Sequence, residues 1–270
     1  MSTLMTHPTL DPTMADFTIE SLPEGALFRI ERPAKMNALT RAVVKGLGDC
    51  IDELEARRAR LLVMTGAGDR AFCAGTDLGE LQGLTLEERM AKSDVARALL
   101  VRLHRSRLIS VAAINGLAYG GGLELAIACT LRIAAPHVKM SLPEVKLALV
   151  PAYAGTQILP ALIGRARATE LLLTGRAIEA TEAHAIGLVH RIAAPDSALA
   201  DQAIAFGREV TRWSPTAVAA IRTCIEASGA SLTDAGLAIE REQVNTNYAS
   251  ADAREGMAAF LEKRPPNFQG

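Results

Sequence analysis

Aromatic residues make up only 4% of this 270-residue chain, with a single Trp. So few rings leave little with which to stack nucleic-acid bases. Excess positive charge is missing too: the formal net charge is -1, so no basic surface offers itself to a phosphate backbone or an anionic membrane. Neither nucleic acid nor membrane is expected as a partner. Cysteine is sparse, and Cys50, Cys73, Cys129 and Cys224 stand far apart, with neither disulfide-framework nor zinc spacing. The histidines His104, His137, His184 and His190 likewise lack tight metal spacing. A metal-free protein of a reducing, cytoplasmic compartment is expected. Residues 1–16 contain no basic start followed by an apolar run and read as a disordered leader rather than a secretory signal. The longest apolar run, Ile109 to Leu131, carries Asn115, three consecutive glycines and Glu124. A membrane span tolerates that combination poorly, and a buried strand, a glycine turn and a buried helix explain it better.

What the chain has is apolar bulk, with 49% hydrophobic residues, and regular alternation of strand-like and helix-like segments. Segments around Phe17–Ser21 and Ala26–Glu31 read as strands. A helix follows from Thr40, with Val43, Val44, Leu47, Ile51 and Leu54 on one face. LLVMT (61–65) and SVAAI (110–114) read as buried strands, and Thr85 with Glu88 forms a capping box for a helix between them. Gly120 to Gly122 open another helix, followed by LRIAA, a short strand over Lys139–Ser141 and a turn through Pro151–Gly155. Thr181 is expected as a helix cap and Gly187 as a helix end. Beyond Ile192 the pattern is helical only, with capping signals at Ser214–Pro215 and Ser231–Asp234. The expected class is α/β, with a mixed core over residues 17–193 and a helical region over 194–270. The apolar faces of that region need a partner, so an oligomer is expected.

Three segments carry chemistry. AFCAGTDL (71–78) and NGLAYGGGLEL (115–125) each follow a buried strand and place glycines where backbone can approach a ligand. The second also aims a helix N-terminus at whatever sits there. Two backbone donors so placed make an oxyanion hole. The third segment, SLPEVKLALVPAYAGTQ (141–157), puts Glu144 on a loop after a strand. Glu124, on the first turn of its helix, can stand beside the same donors. Cys73 beside the glycine turn has no His to activate it and reads as a small buried residue. The turn GAGDRA fits a loose dinucleotide fingerprint, but no amphipathic helix or acidic strand end follows it, so a nicotinamide oxidoreductase is disfavoured.

The strings RPAKMNAL, AFCAGTDLGEL, NGLAYGGGLEL, SLPEVKLALVP, GTQ, LLLTGRAIEATEAHAIGLVHRI and EGMAAFLEKRPPNF occur in this order. Together they resemble the enoyl-CoA hydratase/isomerase, or crotonase, superfamily from about Phe17 onward. The resemblance implies a spiral of strand-strand-helix repeats whose C-terminal helices build a homotrimer or a hexamer of two trimers. It implies an acyl-CoA thioester as substrate and no separate cofactor. By position, the N–H groups of Thr76 and Gly121 match the oxyanion hole, and Glu124 and Glu144 match the two carboxylates that hold and activate water. Lys35 and Met36 fall where the family's backbone meets adenine, and Phe260 and Lys263 where a neighbouring subunit's nucleotide is touched. Ala74, Asp77, Leu78, Ala152 and Tyr153 complete the expected substrate contacts.

Retention of both Glu residues favours hydration of a 2-enoyl-CoA. A Δ3,Δ2-enoyl-CoA isomerase can work with one, and isomerase or hydrolase chemistry is the alternative on the same frame. The chain departs from the family at Thr130, where Asp is common, at Ser141 and Leu142, and at Ala148 and Ala152, where Gly is common. Tyr153 is the sharpest departure: its ring stands at a usually small position beside the water and acyl site, where it narrows the pocket or supplies a hydroxyl.

Overall fold

A computed structural model describes residues 16–227 and 250–269, with the single positions Ala235, Ala238, Glu242, Val244 and Thr246. Nearly all of the expected leader and the Ser231–Asp234 capping signal lie outside these residues. The chain divides into two compact units, the first ending at Gly207 and the second beginning at Arg208.

In the first unit, β1 (Phe17–Leu22) and β2 (Gly25–Ile30) form an antiparallel hairpin. After α1 (Arg41–Ala56) the chain repeats one plan three times: β3 (Leu61–Gly66), β4 (Ala71–Cys73), α2 (Leu86–Arg105); β5 (Ile109–Ile114), β6 (Leu117–Tyr119), α3 (Gly121–Ala128); β7 (Leu131–Ala134), β8 (Lys139–Ser141), α4 (Gly155–Ile163). Each turn gives its first strand to one sheet and its second strand to another. The larger sheet runs β1-β2-β3-β5-β7-β10, with β10 at Arg191–Ile192. The smaller runs β4-β6-β8-β9, with β9 at Ile178–Glu179. Within the larger sheet every pair beyond the hairpin is parallel. The unit also holds α5 (Arg165–Thr174) and α6 (Ala180–Ala185), and α7 (Leu199–Thr211) runs across its end. The second unit holds α8 (Pro215–Ala227) and α9 (Ala251–Glu262).

Local chemistry explains these elements. All six residues of β3 and of β5 are buried, as parallel strands covered on both faces require. The five apolar positions of α1 are buried, and its Thr40 cap accepts from the Val43 N–H at 3.1 Å. The α2 capping box forms as expected, with the Thr85 N–H donating to Glu88 at 2.8 Å and the Glu88 N–H to Thr85 at 3.2 Å. Ser214 caps α8 by accepting from the Ala217 N–H at 3.3 Å, with Pro215 first in the helix. Gly187 closes α6 in the left-handed region, φ +83°. Thr181 is a correction. It lies inside α6, whose cap is Glu179, because pairing of Ile178 and Glu179 with β8 delivers the chain into the helix before Thr181 is reached.

The apolar run 109–131 resolves into strand, strand and an eight-residue helix. Among the described residues no helix is long and apolar enough to cross a membrane.

Candidate active site

The site lies where β4, β6 and β8 end and α3 begins. Two asparagines fix the approach. Asn37, buried with φ +54°, donates to the carbonyls of Ala67 and Ala71 at 3.0 and 2.7 Å. Asn115 donates to the Gly66 and Gly68 carbonyls at 2.9 and 2.7 Å. They pin the turn that feeds β4, and with it the loop of residues 74–77.

One edge of that loop is held by the segment before α1. The Ala74 N–H donates to the Met36 carbonyl at 3.0 Å, the Leu39 N–H to the Gly75 carbonyl at 2.7 Å, and the Asp77 N–H to the Leu39 carbonyl at 3.0 Å. This is a parallel bridge opposite Thr76. In such a bridge the intervening residue supplies neither bond, so the Thr76 N–H faces the other way. Gly75 makes the bend with φ +99°, which only glycine adopts freely. A Cβ there would lie 2.9 Å from the Tyr119 carbonyl oxygen and 3.2 Å from the Gly121 nitrogen, so the Thr76 loop and the start of α3 are in contact.

Helix α3 is buried along its whole length, and the start of the helix packs so closely on β4 that a Cβ at Gly122 would strike the Cys73 carbonyl. Gly121 is the first helical residue. Its N–H has no intrahelical acceptor, and the helix dipole adds to the positive field there. Thr76 and Gly121 therefore present two backbone donors on neighbouring loops.

Glu124 is the only charged residue of α3 and is 1% exposed. Its Oε1 accepts from the backbone N–H groups of Tyr153 and Gly155, both at 2.8 Å, which leaves Oε2 for other work. Burial pushes its carboxyl up to about 7, against the lowering effect of those two donors, and the charge of Glu144 adds to the rise. Glu144 opens a 3-10 turn, Glu144–Leu147, with its Oε1 beside Gly120. Burial raises its carboxyl as well, and its Oε2 is buried with no hydrogen-bond partner among the described residues. Leaving a buried acceptor without a protein donor is costly.

Tyr153 is 5% exposed. Its hydroxyl lies 2.6 Å from Thr76 Oγ1, and a Cβ at Gly121 would fall 2.7 Å from its ring carbon Cε2. The structure thus gathers Thr76, Gly121, Glu124, Glu144 and Tyr153 into one place, with Ala74 and Met36 joined to it by their mutual backbone bond. Lys35 is exposed at the end of one 3-10 turn, Leu78 is exposed at the start of another, Leu78–Leu81, and Ala152 is exposed on a loop. The Asp77 carboxylate is engaged by Arg32 at 2.9 Å and by the Gly79 N–H at 2.9 Å, which leaves it little freedom to take a ligand. Phe260 and Lys263 belong to the second unit, within α9 and just after it. Sequence reasoning did not single out Gly75, Gly155 or the Thr76 hydroxyl. For the two glycines the available signal was their place inside the strings AFCAGTDL and GTQ.

Two backbone N–H groups on adjoining segments, beside two carboxyls whose protons are held more tightly than usual, have the makings of a site that polarises a carbonyl oxygen and moves a proton nearby. The chain belongs to the enoyl-CoA hydratase/isomerase family, whose model matches residues 25–270. It is 35% identical to the crotonyl-CoA hydratase of Syntrophomonas wolfei over 251 residues, covering 93% of this chain and 96% of that one. It is also 35% identical to the mitochondrial methylglutaconyl-CoA hydratase of Rattus norvegicus over 245 residues, 89% of this chain and 78% of the relative. The crystal structure of enoyl-CoA hydratase from Bacillus anthracis superposes with a TM-score of 0.88 at 34% identity, covering 94% of this chain and 99% of that one. The fold is accordingly the crotonase fold.

Proposed function

We propose that the chain adds water across the double bond of a 2-enoyl-CoA, giving a 3-hydroxyacyl-CoA. The observation that carries this reading is the pair of carboxyls, buried Glu124 and half-buried Glu144, beside the start of α3. The thioester oxygen sits between the Thr76 and Gly121 N–H groups. As water oxygen bonds to Cβ, the electrons of the double bond move onto that oxygen and form an enolate. One carboxylate takes the proton that water loses, and the other carboxyl gives its proton to Cα as the enolate collapses. Each well-placed donor to the developing oxyanion is worth about 3 kcal/mol of barrier.

The reaction is redox-neutral and uses no cofactor beyond the CoA borne by the substrate. The backbone around Lys35 and Met36 receives the adenine. Ala74, Leu78, Ala152 and Tyr153, with the backbone of Asp77, line the thioester and acyl group. Phe260 and Lys263 serve the nucleotide of a neighbouring copy in a homotrimer or hexamer working in the cytoplasm. The direct test is steady-state hydration of crotonyl-CoA and of a longer 2-enoyl-CoA, followed by loss of enoyl absorbance. Turnover of either supports hydration. Binding without hydration, together with double-bond migration in a 3-enoyl-CoA, would bring the isomerase reading forward.

The same pair sets the pH dependence. Hydration needs one carboxyl protonated and one ionised, and the Glu124 carboxyl holds its proton up to about pH 7. The kcat/KM profile is therefore expected to be bell-shaped, with the alkaline limb falling as the pH passes through about 7 and the pair loses its last proton. A rate still rising at pH 9 would show that the shared proton is not required.

A further inference from the structure

We propose that Tyr153 is a positioning residue of the oxyanion hole, holding the Thr76 peptide through its phenol. The inference rests on the acyl-thioester reading above and adds to it a part that the family pattern does not contain. The Gly75 carbonyl belongs to the same planar peptide as the Thr76 N–H and accepts from the Leu39 N–H at 2.7 Å, so that peptide is anchored from behind by one bond. The Tyr153 hydroxyl adds a second anchor on the Thr76 side chain, where it meets Oγ1 at 2.6 Å. The ring of the same tyrosine lies against Gly121, and its backbone N–H donates to Glu124 at 2.8 Å. One residue therefore touches the Thr76 side chain, the first residue of α3 and the carboxyl that moves the proton. The second anchor, a tether on the Thr76 side chain, limits the tilting of the Gly75–Thr76 peptide about its single bond to Leu39. The direction of an N–H matters because hydrogen bonds weaken steeply as they bend. It matters most when charge on the oxygen is greatest, so loss of the tether acts on the transition state more than on the bound ground state.

The test uses Tyr153→Phe, which removes only the hydroxyl, Thr76→Ala, which removes its partner, and Thr76→Ser, which keeps that partner. Tyr153→Phe and Thr76→Ala are each expected to lower kcat for crotonyl-CoA about tenfold, the scale of one hydrogen bond, with KM changed by less than about twofold. The double variant is expected to be no slower than the slower single, because both remove the same bond. Thr76→Ser, which restores the hydroxyl, is expected to recover most of the rate that Thr76→Ala loses. A second readout needs no turnover: the infrared carbonyl stretch of bound butyryl-CoA, a saturated thioester. The stretch is expected to move to lower frequency on binding wild type and Thr76→Ser, and to move less on binding Tyr153→Phe or Thr76→Ala. Equal carbonyl shifts and equal kcat in wild type and Tyr153→Phe would overturn the proposal. If wild type hydrates no enoyl-CoA but its carbonyl shift shrinks in Tyr153→Phe, the hydration reading fails and the role of Tyr153 stands. If wild type binds butyryl-CoA with no carbonyl shift, both fall.

Discussion

Glu124→Gln is expected to lower kcat for enoyl-CoA hydration by about a thousandfold and, at pH 8, to make the protein more stable than wild type. The rate loss has the size of one removed acid/base group. An amide cannot pass a proton between water and Cα, although Gln keeps an acceptor oxygen for the Tyr153 and Gly155 N–H groups that now hold Oε1. The gain in stability follows from burial. The folded chain retains the Glu124 proton up to about pH 7, whereas unfolded glutamic acid releases it near 4.5. Between these values the folded state binds more protons than the unfolded state, so wild type loses stability as the pH rises through that window. Above pH 7 the full cost of a buried carboxylate is present, on the order of 3 kcal/mol from the shift alone. Gln carries no charge and escapes that cost. Thermal unfolding at pH 8 and pH 4.5 checks this: the variant should melt well above wild type at the first and close to it at the second. Lower stability at both would mean that the carboxylate is better accommodated than its burial indicates. Glu144→Gln should also abolish most of the rate.

What could be read in advance was whatever short stretches of chain decide by themselves. The apolar face of α1, the start of that helix at Thr40 and the caps at Thr85 and Ser214 are local chemistry, and the structure has each of them. Glu124 falls on a first turn because a run of glycines must break the strand and open the helix, wherever the rest of the chain goes. By contrast β4, β6, β9 and β10 are two or three residues long. No period can be counted over so few positions, and such strands exist only because a distant partner is already in place. Thr181 failed for the same reason, since pairing of Ile178 and Glu179 with β8 sets where α6 begins. Tyr153 stands out in the sequence for its ring at a usually small position and for the hydroxyl it brings there. Its bond to Thr76, 77 positions away, belongs to the tertiary fold and leaves no trace in either segment. The buried, unpartnered oxygen of Glu144 is equally invisible, because a loop glutamate in a sequence says nothing about which of its oxygens water can reach.

Gly75→Ala should lower kcat by about a hundredfold or more with little change in overall fold, the loss expected when an oxyanion donor is spoiled. Two costs arrive with one methyl group. The backbone at this position has φ +99°, outside the regions an alanine occupies without strain, so the bend before Thr76 must relax. The new Cβ would also stand 2.9 Å from the Tyr119 carbonyl oxygen and 3.2 Å from the Gly121 nitrogen, both of them backbone. Neither can swing aside as a side chain would, so the loop carrying Thr76 and the start of α3 must part. The two N–H groups then no longer point at a common oxygen. The effect should fall on kcat more than on KM, because the CoA contacts proposed around Lys35 and Met36 are untouched. It should also appear as a smaller carbonyl shift for bound butyryl-CoA. Kinetics, the carbonyl frequency and far-ultraviolet circular dichroism together decide the matter. A native spectrum with lost rate and lost shift supports a hole built from these two peptides, while a native spectrum with full activity would place the thioester oxygen elsewhere.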